Sequence, residues 1–272
     1  MRIDVLLSPF DATVGGLREA ATAADELGIE GLWTMDHLTG TVHEGRKTVL
    51  ESLLSMAVMA DATERCRIGP LVLNAVLRPP ALLAQSLAGL YELAEGRLIV
   101  GLGAGGGGGG DYGAELSAAG LVDHRPGVRR QRCSETVEIL RHLWSGSDES
   151  WSGELHQLGG GTGFAAIELP PPIVIGGYGP KMATLAGKLA DGFNTVATHP
   201  ELRQLLTVAR SAAAVSSRSE PFESSVYARY DPLWLDPDSD ERQRLTDAGV
   251  DTLILILQAP HDLDVLERIG RP

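Results

Sequence analysis

IGPLVLNAVLRPPALLAQSLAGLYELAEGRLIVGL, residues 68–102, carries an apolar run at each end (IGPLVLN, 68–74, and LIVGL, 98–102) and a longer segment of helical period between them. Two short apolar strands joined by a helical crossover imply parallel pairing. The pattern extends in both directions. Upstream lie IDVLL (3–7) and LWTM (32–35); downstream lie IVIG (173–176), FNTV (193–196), SSVYARY (224–230) and DTLILIL (251–257). Between the strands run segments such as 15–28, where Leu17, Ala20, Ala21, Ala24 and Leu27 recur at helical spacing and Gly28 can close the helix.

Eight such repeats predict an α/β fold of the TIM (beta/alpha)8 barrel type, as a single domain over residues 1–272 with short insertions. A doubly wound open sheet is the alternative, but it would need fewer strands and a nucleotide fingerprint near the N-terminus. WSGELHQL (151–158) has the alternation and central glycine of a hairpin or of a short edge insertion after the fourth helix. GGGTGFAAIELPPP (159–172) leads back to the barrel, and SSRSEPFE (216–223) is a polar connector.

The composition narrows the function classes. With 43% hydrophobic and 22% charged residues in 272, the chain can bury a full core. A net charge of -13 repels polyanions, so nucleic acid is not expected as a partner. Cys66 and Cys133 show no ligand spacing and read as ordinary thiols. The opening MRIDVLLSPFD does not resemble a signal peptide, and no apolar stretch approaches the roughly 18 residues a bilayer span needs. A cytoplasmic location is the expectation.

In a TIM barrel the chemistry belongs on the loops that follow the strands. These loops hold Asp36 and His37 after the second strand, and Asn74 with Arg78 after the third. The glycine run with Asp111 and Glu115 follows the fourth, GGYGPK (176–181) the fifth, His199 the sixth and Asp231 the seventh.

GGYGPK combines three glycines, a proline suited to a first helical turn and a lysine, which together can cradle a phosphate. An ordinary glycine-rich turn with a solvated lysine has the same spelling. His37 could act as acid, base or donor near neutral pH, or be a loop histidine beside a capping Asp. Asn74 could contact a ring amide or simply form a turn. Trp33 reads as core. The glycine-rich run GAGGGGGG (103–110) lacks the Lys-Ser/Thr of a P-loop. Six consecutive ordered glycines would be entropically costly, so GGGGGDYGAE (106–115) is expected to be a mobile cover over the mouth.

Four segments resemble the bacterial luciferase-like superfamily of flavin- and deazaflavin-dependent oxidoreductases and monooxygenases. They are ELGIEGLWTMDHLTG (26–40), ATERCRIGPLVLNAVLRPPALLAQSLAGLYELAEGRLIVGLGAG (62–105), RQRCSETVEILRHLWSG (130–146) and PPIVIGGYGPKMATLAGKLADGFNT (171–195). AGVDTLILIL (248–257) is similar to the family's last strand.

The resemblance implies that coenzyme F(420) or FMN binds at the mouth and that a small organic substrate is reduced, oxidised or monooxygenated there. It implies that Gly176, Gly177, Tyr178, Gly179, Pro180 and Lys181 hold the cofactor phosphate. Leu71, Val72 and Asn74 would line the ring, with a cis peptide between Leu71 and Val72, and Gly103, Ala104 and Gly105 would pass beside it. Asp36 and His37 match a pair near the reactive ring face, with His37 as catalytic base or donor. That pair and Asn74 place coenzyme F(420) ahead of FMN. Luciferase-like relatives often pair through helices, so a homodimer is expected.

Gly106 departs from the pattern, because deazaflavin dehydrogenases often carry a glutamate there and other members a tryptophan. That counts against a sugar-phosphate dehydrogenase and removes a bulky wall from the pocket. Two other readings stay open: a non-catalytic flavin-binding scaffold, and a metal-dependent barrel hydrolase using Asp36, His37, His199 and Asp231.

Overall fold

The computed structural model describes residues 1–40, 47–106, 111–216 and 221–270. Its first βαβ unit is β1 (Arg2–Leu7), α1 (Val14–Glu26) and β2 (Gly31–Thr34). Next come α2 (Ser52–Asp61), β3 (Arg67–Pro70), β4 (Leu73–Asn74), α3 (Pro80–Leu93) and β5 (Val100–Gly103). Helices α4 (Asp111–Ala118) and α5 (Pro126–Trp144) lead to an antiparallel hairpin of β6 (Trp151–Ser152) and β7 (Gln157–Leu158). The barrel resumes with β8 (Ile173–Gly176), α6 (Pro180–Leu189), β9 (Gly192–Val196), α7 (Leu202–Ala214) and β10 (Glu223–Arg229). It ends with α8 (Asp240–Ala248), β11 (Thr252–Leu257) and α9 (Leu263–Gly270).

The local sequence explains these elements. In α1 the buried residues Leu17, Ala20, Ala21 and Ala24 form one stripe, and the Thr13 side chain caps the helix by accepting the Gly16 N–H at 3.1 Å. Gly28, at φ +78°, turns the chain out of the helix. All six residues of β11 are buried, as expected of a strand covered on both faces.

The parallel sheet runs β3-β2-β1-β11-β10-β9-β8-β5-β4. An Ile68–Leu98 bridge joins β3 to the approach to β5 and closes the ring. β3 and β4 are two halves of one stave, so the barrel has the eight staves read from the sequence. The expected strand 68–74 is thus corrected to two pieces, interrupted at the cis peptide between Leu71 and Val72.

Alternation along the strands divides the core in two. Leu6, Trp33, Ile99, Val174, Ile254 and Ile256 fill the barrel interior, while a larger apolar shell joins the strands to the helices. Charged side chains pack the N-terminal end of the barrel. Arg2 donates to Glu223 at 2.6 Å and to Thr252 at 2.8 Å, and Arg67 lies 3.9 Å from Glu223. Asp4, fully buried, accepts the Trp33 indole N–H at 3.0 Å; burial pushes its carboxyl pKa up despite that bond and the nearby arginines.

Candidate active site at the C-terminal mouth

Beyond β2 the chain crosses the barrel mouth through Met35, Asp36 and His37. The Asp36 side chain, 1% exposed, meets the Arg78 guanidinium in a two-pronged pair with both N···O distances at 2.8 Å. It also accepts the Asn74 N–H at 2.8 Å. Arg78 reaches on to Glu51. Burial lowers the Arg78 pKa, but the Asp36 and Glu51 carboxylates prevail and hold it above its ordinary value. Both Asp36 oxygens are therefore engaged within the chain, tying the end of β2 to the end of β4.

His37 packs against Phe10 with ring centroids 5.2 Å apart and places Nδ1 3.2 Å from Oε2 of Glu115. The other Glu115 oxygen accepts the N–H groups of Leu38 and of Thr39, the latter at 2.9 Å. Burial works to raise the Glu115 pKa, yet the His37 bond and these amides hold it below the usual carboxylate range. Of the mobile cover expected over 106–115, the part 111–115 is instead helical. Residues 111–118 form α4, and Glu115, 3% exposed, docks that helix on the β2 loop. Glycines 107–110 lie outside the described residues, as do residues 217–220 of the expected polar connector.

The glycines at the end of β5 have tenants from the neighbouring stave. A Cβ on Gly101 would stand 2.0 Å from the Pro70 carbonyl oxygen, and one on Gly103 would stand 2.6 Å from a Val72 methyl. A Cβ on Gly176 would lie 3.0 Å from Val72. Gly105, at φ +73°, leaves room for the Asn74 side chain. The Asn74 carboxamide oxygen accepts the Val76 N–H at 2.9 Å, which is the turn-forming role. The Gly105 carbonyl accepts from Arg129 at 3.1 Å. Small residues read as making room for a ring are seen to make room for the side chains of Val72 and Asn74.

At the end of β8, the Gly177 N–H binds the Asn194 carbonyl at 3.0 Å, and a Cβ on Gly177 would collide with Met182. Gly179 differs, since no atom lies within 4 Å of where its Cβ would stand. Its carbonyl accepts the N–H groups of Met182 and Ala183 at 3.0 and 3.1 Å as α6 begins at Pro180. Among the described residues the N–H groups of Tyr178, Gly179 and Lys181 have no acceptor. The open side of Gly179, these donors, the helix dipole and the exposed Lys181 suit an anionic group such as a phosphate. Tyr178 joins hydroxyls with Tyr227 of β10 and lends its carbonyl to His199 at 3.1 Å.

The residues of the hydrolase reading do not converge. His199 accepts the Glu201 N–H at 3.1 Å and Asp231 accepts the Leu233 N–H at 2.9 Å, each within its own loop. Among the described residues, no three His, Cys, Asp or Glu side chains are placed to share a metal ion. Cys66 and Cys133 are buried free thiols, and burial pushes Cys133 up to about 12.

Comparison with known proteins agrees with this architecture. The family model of the luciferase-like monooxygenases matches residues 1–268. A coenzyme F(420)-dependent glucose-6-phosphate dehydrogenase of Amycolatopsis mediterranei is 32% identical over 178 residues, 65% of this chain and 52% of that protein. A 5,10-methylenetetrahydromethanopterin reductase of Archaeoglobus fulgidus is 30% identical over 91% of this chain and 67% of its own length. The chain spans about half the length of several curated relatives it matches, such as the Amycolatopsis enzyme at 52%.

Among solved structures, a coenzyme F(420)-dependent secondary alcohol dehydrogenase in complex with a cofactor–acetone adduct superposes with a TM-score of 0.82 at 20% identity, covering 98% of this chain and 96% of that one. A type II Baeyer-Villiger monooxygenase of Pseudomonas putida in complex with FMN superposes at 0.71 and 16% identity, covering 100% and 98%. At these identities the likeness is one of fold. With the barrel, the split third stave and a family match over nearly its whole length, the chain belongs to the luciferase-like monooxygenase family.

Proposed function

We propose that this protein is an oxidoreductase that binds coenzyme F(420), or FMN as the second choice, at the C-terminal mouth of the barrel and acts on a small organic substrate. The observation that carries this reading is the start of α6, where the N–H groups of Tyr178, Gly179 and Lys181 have no acceptor among the described residues and the Cβ side of Gly179 is open. Residues Gly176 to Lys181 would hold the phosphate. Leu71, Val72, Asn74, Gly103, Ala104 and Gly105 would bound the ring, with Asp36 bracing that boundary through Asn74 and Arg78. Coenzyme F(420) ranks first because several curated relatives at 30–32% identity, the Amycolatopsis dehydrogenase among them, carry it in their names.

When bound, the cofactor supplies the hydride or oxygen chemistry. The chain's share is to orient and to move a proton. Val72 would bound the ring from the side of Gly103 and Gly176, and His37 would accept or return a proton at its imidazole. The purified protein titrated with coenzyme F(420) and separately with FMN, followed by fluorescence, should show saturable binding of one of them. Binding of neither overturns the proposal.

Gly106 motivates a second reading, a flavin-binding scaffold without turnover, since no bulky or acidic side chain closes the pocket there. Rapid redox cycling of the bound cofactor with any donor pair removes it. No described helix is long and apolar enough to cross a membrane. We place the protein in the cytoplasm as a homodimer, which sedimentation of the pure protein at micromolar concentration tests.

A further inference from the structure

We propose that Glu115 is a positioning residue for His37, holding the imidazole in the form that carries its proton on Nδ1 and so making Nε2 the proton-accepting atom. The proposal rests on the reading of His37 as the proton-handling residue. An ionised carboxylate only accepts hydrogen bonds, so the ring nitrogen that faces it must carry hydrogen. One Glu115 oxygen is pinned by the backbone N–H groups of Leu38 and Thr39, which sets the plane of the carboxylate. The other then faces Nδ1 at 3.2 Å.

Phe10 packs against the ring at an interplanar angle of 44°, a second contact that keeps the imidazole beside Glu115. The ionised state of Glu115 is secured by the same bonds, which outweigh the cost of its burial. Arrival of a proton on Nε2 creates an imidazolium whose charge faces a carboxylate shielded from water. Glu115 addresses only the opposite nitrogen, so it acts through His37.

Proton-coupled nitrogen NMR of the unliganded protein, labelled at histidine nitrogen, tests this at about pH 8, where an ordinary imidazole is neutral. The His37 signal, assigned by its loss in His37→Gln, should show hydrogen on Nδ1. In Glu115→Gln the amide oxygen remains with the two backbone N–H groups and the amide NH2 turns to Nδ1. The proton should then move to Nε2 and kcat/KM should fall about 100-fold, with cofactor affinity unchanged.

A wild-type ring protonated on Nε2 overturns the proposal, whether or not the variant folds. So does a folded Glu115→Gln protein with the wild-type tautomer. Failure of both cofactors to bind would count against the oxidoreductase reading, and the tautomer would still be read from the unliganded protein.

Discussion

Val72 fills the space that a side chain at Gly103 would need: a Cβ there would stand 2.6 Å from the Val72 Cγ2 methyl. Gly101 and Gly176 face the same side chain at 3.1 and 3.0 Å. Gly103→Ala must displace Val72, at a cost of about 1–3 kcal/mol, and should weaken cofactor binding at least about 10-fold. Adding Val72→Ala should restore part of the stability, a coupling that urea unfolding of the two single variants and the double variant measures. Additive losses would show that the contact does not govern the site.

Arg78 neutralises a carboxylate that water barely reaches, since the Asp36 side chain is 1% exposed. Arg78→Met leaves that charge without its partner and should cost about 3–5 kcal/mol, whereas Arg78→Met combined with Asp36→Asn should cost much less. Arg78→Lys keeps the charge but loses the fork and should fall between them. Denaturant midpoints of the three proteins give the ranking.

Asp25 anchors the turn between α2 and β3, accepting N–H groups from Glu64 at 3.2 Å, Arg65 at 2.9 Å and Cys66 at 2.8 Å. Burial would raise its pKa, but these amides prevail and hold it at about 2. The folded value lies below the unfolded one. Its stabilisation is therefore complete above the ordinary carboxylate value of about 4 and is lost as pH falls toward the folded value. Asp25→Asn should be less stable by about 1–3 kcal/mol at neutral pH and show a flatter stability profile over that acid window. Thermal melts in a pH series check both parts.

Lys181 stands exposed in the first turn of α6. Lys181→Ala should weaken cofactor binding about five-fold at low ionic strength, and the difference should shrink as salt is added. Equal affinities at low salt would place the phosphate elsewhere.

The fold was legible because apolar period reports burial, and DTLILIL or IVIG can be buried on both faces only in a covered parallel sheet. The break inside 68–74 left no such trace, because Leu71 and Val72 are as apolar as the strand around them. The glycines were legible as close approaches, but a missing side chain does not say which atom takes its place. Gly101, Gly103 and Gly105 turned out to face Pro70, Val72 and Asn74. Glu115 was visible only as one polar residue after a glycine run. Its partners are the side chain of His37 and the amides of Leu38 and Thr39, some 76–78 positions away, and nothing local encodes that meeting.

The register that pairs β1 with β11 bears on how the chain is made. Arg2 lies opposite Thr252, and its guanidinium bonds to a hydroxyl 250 positions away. During synthesis the edge of β1 therefore waits, unpaired on that side, until nearly the whole barrel has left the ribosome. For that interval Leu6 and Trp33 lack the strand that completes their packing, and their apolar surface stays uncovered on that side until β11 arrives.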